Sequence, residues 1–452
     1  MKKAKIYYFT LTDEQRKEEK LEWFQDTKFN KIPFELIQPS KKNNWINLAD
    51  NDFEELMPLI DKKNQNTLFE FSSLGVSTNR DEWVYDFDEK SLKDKMKYFV
   101  KEYNNLLKKN DKSWKGTIKW SRDLKKKFER KQILELQNDL LVESNYRPFI
   151  KKKWYAEKVL NDVFTQNHYD IFGEDLRQEN RLITVYSLAS SHLLSCLSTN
   201  LNFDLAFLKQ GNGGVFCLPL YRYTKEGKRI DNITQWALNE FRSHYSVGSQ
   251  RSASDDSVDS HRRTYQNTEP HDGMAVRELE REDIFHYVYG VLHNPAYRKK
   301  YELNLKREFP RIPFYEDFWF WAEKGKELME LHLDYENIEK YELEREEKPL
   351  KSGSLNKAKL KADKIKNEIV LDNLTTLKNI PAVAWDYKLG NRSALEWILD
   401  QYKEKKPRDT TIREKFNTYK FEDYKEEVIE LLQRVCTVSV KTMKIVEEME
   451  SK

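Results

Sequence analysis

Apolar residues recur at helical spacing in some stretches of this chain and cluster at strand spacing in others. Met96, Phe99, Val100, Tyr103, Leu106 and Leu107 fall three and four apart, which predicts an amphipathic helix over residues 91–107. A second, very basic helix is predicted over 120–131. Lys5 to Leu11 suits a strand, and Thr12 with Gln15 has the capping-box spacing that opens a polar helix through Phe24. A short helix is expected around Phe53 to Ile60. Two strands are expected over 67–87, flanking a tight loop from Gly75 to Asp81. From 140 to 230 short strands alternate with loops (LLVESNYRPF, LITVYSL, GVFCLPLYRY). Residues 233–243 read as helix, and Ser246 to Met274, rich in Ser, Asp, His and Arg, as a flexible insertion. Helix returns over 282–332, broken at Pro310 to Pro313. Short strands follow over 365–388, then helices from Ser393 to Lys403 and from Tyr424 to the end. The class is α+β, a core of mixed short strands with basic helices followed by a mainly helical C-terminal part.

Composition narrows the class. The 452 residues leave room for two to four domains of about 150 residues each. With 38% hydrophobic and 34% charged residues the chain is no membrane protein, and 13% aromatics argue against disorder. Cys196, Cys217 and Cys436 are scattered and form no CxxC pair, so neither a disulfide framework nor a zinc site is expected. The start carries no apolar run of signal-peptide length, and a reducing cytoplasm is expected.

Net charge is only +3, which suggests indifference to nucleic acid. Its distribution says otherwise. Lys90 to Lys131 holds 16 Lys or Arg against 5 Asp or Glu, a local balance of +11. Glu323 to Lys348 holds 5 basic against 10 acidic residues, a balance of −5. A basic stretch of that density attracts phosphates and releases their counterions, although lysine on a solvated helix face is the plainer explanation. Trp114, Trp120 and Trp154 lie among or beside these cations.

Catalytic motifs are sparse. There is no phosphate-binding G-x-x-x-x-G-K-[ST] loop, no H-E-x-x-H and no G-x-S-x-G. Gly211, Gly213 and Gly214 precede a strand rather than open a helix. His286 and His293 share a helix face without a third ligand, which favours structural histidines over a metal site. Asn294-Pro295-Ala296-Tyr297 is close to the Asn-Pro-Pro-Tyr tetrapeptide of amino-methylating DNA methyltransferases. Between two helices, however, Asn as N-cap and Pro as first helical residue is the economical reading.

Several segments occur in a fixed order: GVSTNRDEWVYDF (75–87), SNYRPF (144–149), FCLPLYRY (216–223), DNITQWAL (231–238), the long stretch from Glu282 to Phe314, and DYKLGNRSALEWILDQY (386–402). Together they resemble the C-terminal specificity region of type ISP restriction–modification enzymes, over nearly the whole chain. The Gly-x-x-Thr-Asn-Arg-Asp loop is also similar to the loop that leads into target-recognition domains of related adenine methyltransferases. The resemblance implies four parts. Residues 1–30 would be the trailing edge of a methyltransferase-like domain, and 31–232 the α+β target-recognition part. Residues 233–345 would be helical with the insertion at 246–276, and 346–452 short strands and C-terminal helices. Family members join nuclease, helicase-type ATPase, coupler, methyltransferase and recognition parts in one polypeptide. A chain resembling only the last is expected to be a split subunit, a truncated product or a fragment.

The resemblance implies a partner, double-stranded DNA, and a second one, a methyltransferase–helicase–nuclease chain. No membrane is implied. Cofactors are expected in other parts of such a system only: S-adenosylmethionine, ATP and Mg. Phosphate contacts would fall to Lys115, Lys119, Arg122, Lys125, Lys126, Lys127, Arg147, Lys151, Lys152 and Lys153. Base reading would fall to forked donors and acceptors at loop tips: Asn79 and Arg80, Gln210 and Asn212, Asn391 and Arg392. Arg392 could instead pair with Glu396. No catalytic residue or metal ligand is assigned. Two alternatives remain open: an adenine-specific methyltransferase residing in or completed by this chain, and a protein-docking scaffold using the acidic 323–348 face.

Overall fold

Strong apolar spacing becomes helix in the computed structural model, which describes residues 4–12, 15, 17–39, 52–61, 65–114, 116–186, 194–208, 213–250, 277–350 and 355–452, with backbone only for 246–250. The insertion beyond residue 250 thus lies outside the described residues. The first helix, α1 (Lys17–Asp26), starts later than its capping signal and buries no residue. The strands that precede and follow it, Ile6–Tyr8 and Glu35–Ile37, pair antiparallel. Then come α2 (Asp81–Val84), α3 (Glu89–Lys109), α4 (Arg122–Glu129), α5 (Gln166–Phe172), α6 (Gln235–Gln250), α7 (Arg281–His293), α8 (Pro295–Lys300), α9 (Glu302–Leu305), α10 (Phe318–Leu333), α11 (Ala394–Tyr402) and α12 (Lys425–Glu450). The ends of α3 show why it stops where it does. Asp88 accepts from Ser91 N at 2.6 Å, and Asn110 leaves the helix in the left-handed region at φ 52°.

Two expectations need correction. The helix expected at 53–60 is a single tight turn, Asp52–Glu55, followed by a strand, Met57–Pro58, paired with Arg311–Ile312. Pro58 cannot donate inside a helix, whereas its carbonyl accepts from Leu68 N at 2.9 Å. The second strand expected before residue 87 is largely replaced by α2, because Trp83 N turns back to Arg80 O at 2.8 Å.

Two four-stranded sheets build the α+β part. One runs Asn202–Phe203, Leu141–Arg147, Ile150–Tyr155, Tyr85–Asp86. The other runs Ser73–Leu74, Phe216–Pro219, Leu182–Tyr186, Ser195–Thr199. A third sheet, Glu344–Glu347, Thr375–Lys378, Glu368–Asp372, Ala358–Asp363, belongs to the C-terminal part.

One core joins α3 and the first sheet to α11 and α12. Phe87 stacks on Tyr402 at 4.6 Å, and Trp83 meets Phe416 at 6.1 Å. The other core packs the second sheet against α6, α7 and α10. Both cores draw on distant segments, so the α+β part and the C-terminal helices share buried surface.

The Asn-Pro-Ala-Tyr segment is a cap. Asn294 Oδ1 accepts from Ala296 N at 2.8 Å, its amide donates to Tyr315 at 3.0 Å, and the Tyr297 hydroxyl donates to Arg311 O at 2.8 Å. His286 and His293 are core residues of α7, a helix buried almost throughout. Among the described residues no group of three His, Cys, Asp or Glu side chains could hold a metal ion, and no helix is long and apolar enough to cross a membrane.

The crossing of α7 and α10 depends on glycine. A Cβ on Gly325 would lie 1.8 Å from the His286 carbonyl oxygen, and one on Gly290 2.4 Å from that of Trp321. Gly325→Ala should therefore destabilise the chain by at least about 1–3 kcal/mol, read as a lower urea midpoint with an unchanged slope.

Acid should also unfold the protein early. Burial pushes His168 and His286 down to about 4 and His332 to about 3, and holds His293 well below its ordinary value. Their folded values lie below the unfolded value of about 6.5, so the stability they contribute is full above it and is lost as pH falls toward 4. Urea midpoints at pH 7.5, 6 and 5 should fall in that order, and His332→Gln should make the fall shallower.

Candidate nucleic-acid interface

The loop from Gly75 to Trp83 is held by its backbone before any side chain acts. A Cβ on Gly75 would lie 2.7 Å from Phe203 and 2.9 Å from the Asp204 carbonyl, so glycine lets the loop lie flat on that strand. Val76 N donates to Phe203 O at 2.9 Å, and Leu205 N donates to Val76 O at 2.7 Å. Ser77 and Val163 exchange bonds of 3.1 and 2.8 Å. The chain then turns at Asn79, exposed at its tip with φ 54°.

Asp162 anchors the turn. Its carboxylate accepts from Asn79 Nδ2 at 2.8 Å, from Arg80 at 3.1 Å and from Ser121 Oγ at 2.8 Å. Ser121 is also the N-cap of α4, accepting from Leu124 N at 3.2 Å. Arg80 adds bonds to Ser121 Oγ, at 2.6 Å, and to the Leu160 carbonyl. One buried ion pair thus joins the loop to the start of the basic helix.

This corrects the reading of Arg80. Its side chain has 0% exposure and both terminal nitrogens of its guanidinium are bonded, so in this structure it braces the loop and is not presented to a base. Asn79 spends its amide N–H on Asp162, while among the described residues its carbonyl oxygen takes no bond, and it stays at the surface.

On α4, Leu124 and Phe128 face the core. Arg122, with 84% of its side chain exposed, and Lys126, with 58%, face solvent beside Asp123. Lys125 lies over the Trp114 ring at 5.1 Å. Lys127 is a second correction: it donates to the carbonyls of Lys158 and Val159 at 2.8 and 2.9 Å, docking the helix instead of awaiting a phosphate.

Beside the loop opens a groove of about 450 Å³, lined by residues 77–83, Lys119, residues 204–206, Arg408 and Asp409. Lys119 and Arg408 are exposed. Each carboxylate of the lining is already satisfied. Asp81 accepts from the Tyr146 hydroxyl at 3.0 Å, and Asp204 from Arg147 at 2.7 Å. Glu82 accepts from the backbone N–H groups of Arg408 and Asp409, both at 2.9 Å. Asp409 in turn accepts from the Trp83 indole at 2.9 Å. Arg408 is the residue that sequence reasoning missed. It lies more than three hundred positions from the loop, in the Lys-rich segment YKEKKPRD, and only the cluster of cations there hinted at it.

The remaining candidates go elsewhere. Arg147 is spent on Asp204 and lies over the Tyr146 ring at 4.0 Å, so it is a brace. Lys151 and Lys153 pair with Glu143 and, for Lys151, with Glu336. Lys152 lies over the rings of Phe87 and Tyr146 at 4.5 and 4.2 Å, where burial, with Arg147 nearby, pushes it down to about 7. These three lysines line a separate cleft with Glu143, Glu336, Glu427 and Glu430, a poor place for a phosphate. Asn391 and Arg392 sit on the Lys388–Leu389/Arg392–Ser393 hairpin, away from the groove lining. Arg392 pairs with Asp400 at 3.1 Å, not with Glu396, which caps Ser393 and bonds Lys364. Gln210, Asn212 and Lys115 lie outside the described residues. The acidic 323–348 stretch is laced to its surroundings through Lys324–Glu448, Lys340–Glu430 and Arg345–Glu426.

Arg80→Ala should cost about 3–5 kcal/mol, since it strands the buried Asp162 carboxylate, while Arg122→Ala should change stability by less than about 0.5 kcal/mol. Urea unfolding of both variants measures the contrast.

Against known proteins, residues 67–431 match the family described as the type ISP C-terminal specificity domain. No curated protein matches the chain. Among solved structures, a DrdV–DNA complex shares 42% identity over 98% of this chain and 43% of its own, with a TM-score of 0.80. The ATP-dependent type ISP restriction–modification enzyme LlaBIII bound to DNA shares 26% over 92% of this chain and 25% of its own, at 0.71. A nuclease-deletion mutant of the type ISP enzyme LlaGI in complex with a DNA substrate mimic shares 27% over 96% and 38%, at 0.69. The chain therefore spans less than half the length of each of these proteins. A match over most of its residues, on a fold shared with all three, places the chain in the family of type ISP C-terminal specificity domains.

Proposed function

We propose that this chain recognises a defined sequence in duplex DNA, as the specificity part of a type ISP restriction–modification system, and is non-catalytic by itself. The observation that carries this reading is the match of residues 67–431 to the specificity family, whose solved relatives were captured on DNA. The geometry supports a division of labour. Arg122, Lys125 and Lys126 on α4 carry charge that is not consumed by buried partners, so they hold phosphates. Asn79 at the loop tip, next to the groove, reads a base edge. Neither alternative gains support. The amide of Asn294 and the hydroxyl of Tyr297 are committed to packing bonds, and Lys324 and Lys340 of the acidic stretch pair with Glu448 and Glu430 of α12. Methyl transfer, nucleotide hydrolysis and cleavage, with their S-adenosylmethionine, ATP and Mg, belong on this reading to other parts of the system.

Duplex binding measured by fluorescence anisotropy should weaken linearly in log–log coordinates as salt rises, by about 0.9 per phosphate neutralised. Arg122→Ala with Lys125→Ala and Lys126→Ala should lower affinity for all duplexes alike and reduce that slope by about 2–3. Asn79→Ala should blur sequence preference with the slope kept. A folded chain that binds no duplex in about 50 mM salt would sink the proposal.

A further inference from the structure

We propose that Arg408 is a specificity-determining residue of this interface, reading guanine, and that Glu82 is the positioning residue that presents it. The inference rests on the DNA-recognition reading and extends it to a segment of the C-terminal part.

Three observations carry it. The first is how the segment is held. Both oxygens of the Glu82 carboxylate take consecutive backbone N–H groups, those of Arg408 and Asp409, at 2.9 Å each. The Asp409 carboxylate accepts from the Trp83 indole at 2.9 Å and from Thr411 N and Ile412 N at 2.9 and 3.2 Å. Pro407, whose ring fixes φ, accepts from Arg413 at 3.3 Å. A connection between α11 and α12 is thereby clamped onto the recognition loop, next to Asn79.

The second is what the clamp leaves out. The bonds of the clamp fall on the backbone of residue 408 or on its neighbours, and the Arg408 side chain is exposed at the groove. Arg80 and Arg147, two other arginines beside the loop, have guanidinium groups bonded by Asp162 and Asp204. Arg408 therefore offers the fork of donors that matches guanine O6 and N7.

The third is the character of the groove. Its wall sets Asp81, Glu82, Asp204 and Asp409 against Arg80, Lys119 and Arg408, a balance that favours an uncharged base edge over a phosphate. The outward cations of α4 suit the backbone, whereas a guanidinium among carboxylates suits acceptors on an uncharged base.

The test is selection of bound duplexes from a randomised pool by the whole chain, followed by affinity and salt dependence on the selected site. Wild type should select a site containing a guanine that Arg408→Ala no longer distinguishes, a loss of roughly ten- to a hundred-fold in discrimination with the salt slope unchanged. Arg408→Gln should shift the preference at that position toward adenine. Glu82→Ala should relax the same position, and the Glu82→Ala/Arg408→Ala double variant should be no worse there than Arg408→Ala alone. That non-additivity, at an unchanged melting temperature, separates positioning from general support. An unaltered site for Arg408→Ala, with wild type still selective, overturns this inference and leaves DNA recognition standing. A uniform loss on all duplexes with a flattened slope makes Arg408 a phosphate contact and also overturns it. A wild type that selects nothing overturns the recognition reading together with this one.

Discussion

The interface depends on one buried carboxylate. Asp162 gathers the tip of the recognition loop, the guanidinium behind it and the N-cap of the basic helix. A charge with 4% of its side chain exposed is costly unless it is fully paired, and here its partners come from two segments, the loop and the start of α4. The loop and α4 therefore cannot drift apart without exposing an unpaired ion in an apolar setting. Arg80 contributes by being unavailable to solvent, and Asn79 and the outward face of α4 inherit a fixed separation.

The same logic sorts the cations. A lysine or arginine can meet a phosphate only if its charge is not already consumed. Arg147 is consumed by Asp204, Lys127 by two carbonyls, and Lys151 and Lys153 by glutamates, whereas Arg122 and Lys126 share only the looser contact of Asp123, at 3.5 and 3.9 Å, and extend into solvent. The basic arm is thus partly structural: some of its charge seals the joints that let the remainder stand in a row.

Much of the fold was legible from the residues. The face built from Met96, Phe99 and Tyr103 is the buried face of α3, and the break at Pro310 to Pro313 falls between α9 and α10. The capping reading of Asn294 holds because a local bond decides it. The ordered family segments reveal the function class. What stayed hidden depends on contacts between distant segments. Pro58 selects a strand through a partner at Arg311, α5 lacks a strong apolar period, and Arg392 finds Asp400 two turns away where Glu396 was the nearer guess. Counting charges from 90 to 131 locates a basic region but does not say which ends are free. Arg408 is brought to the loop by Glu82 and by the Trp83–Asp409 bond, and no periodicity announces either.

The way Glu82 grips residue 408 has an evolutionary consequence. The bonds are to main-chain N–H groups, which nearly every amino acid supplies. Substitution at 408 therefore leaves the clamp intact unless the newcomer is proline, which has no N–H to give. A lineage of such proteins can exchange the letter read at that point while inheriting the frame unchanged, and diversity of target sequence then requires no rebuilding of the core.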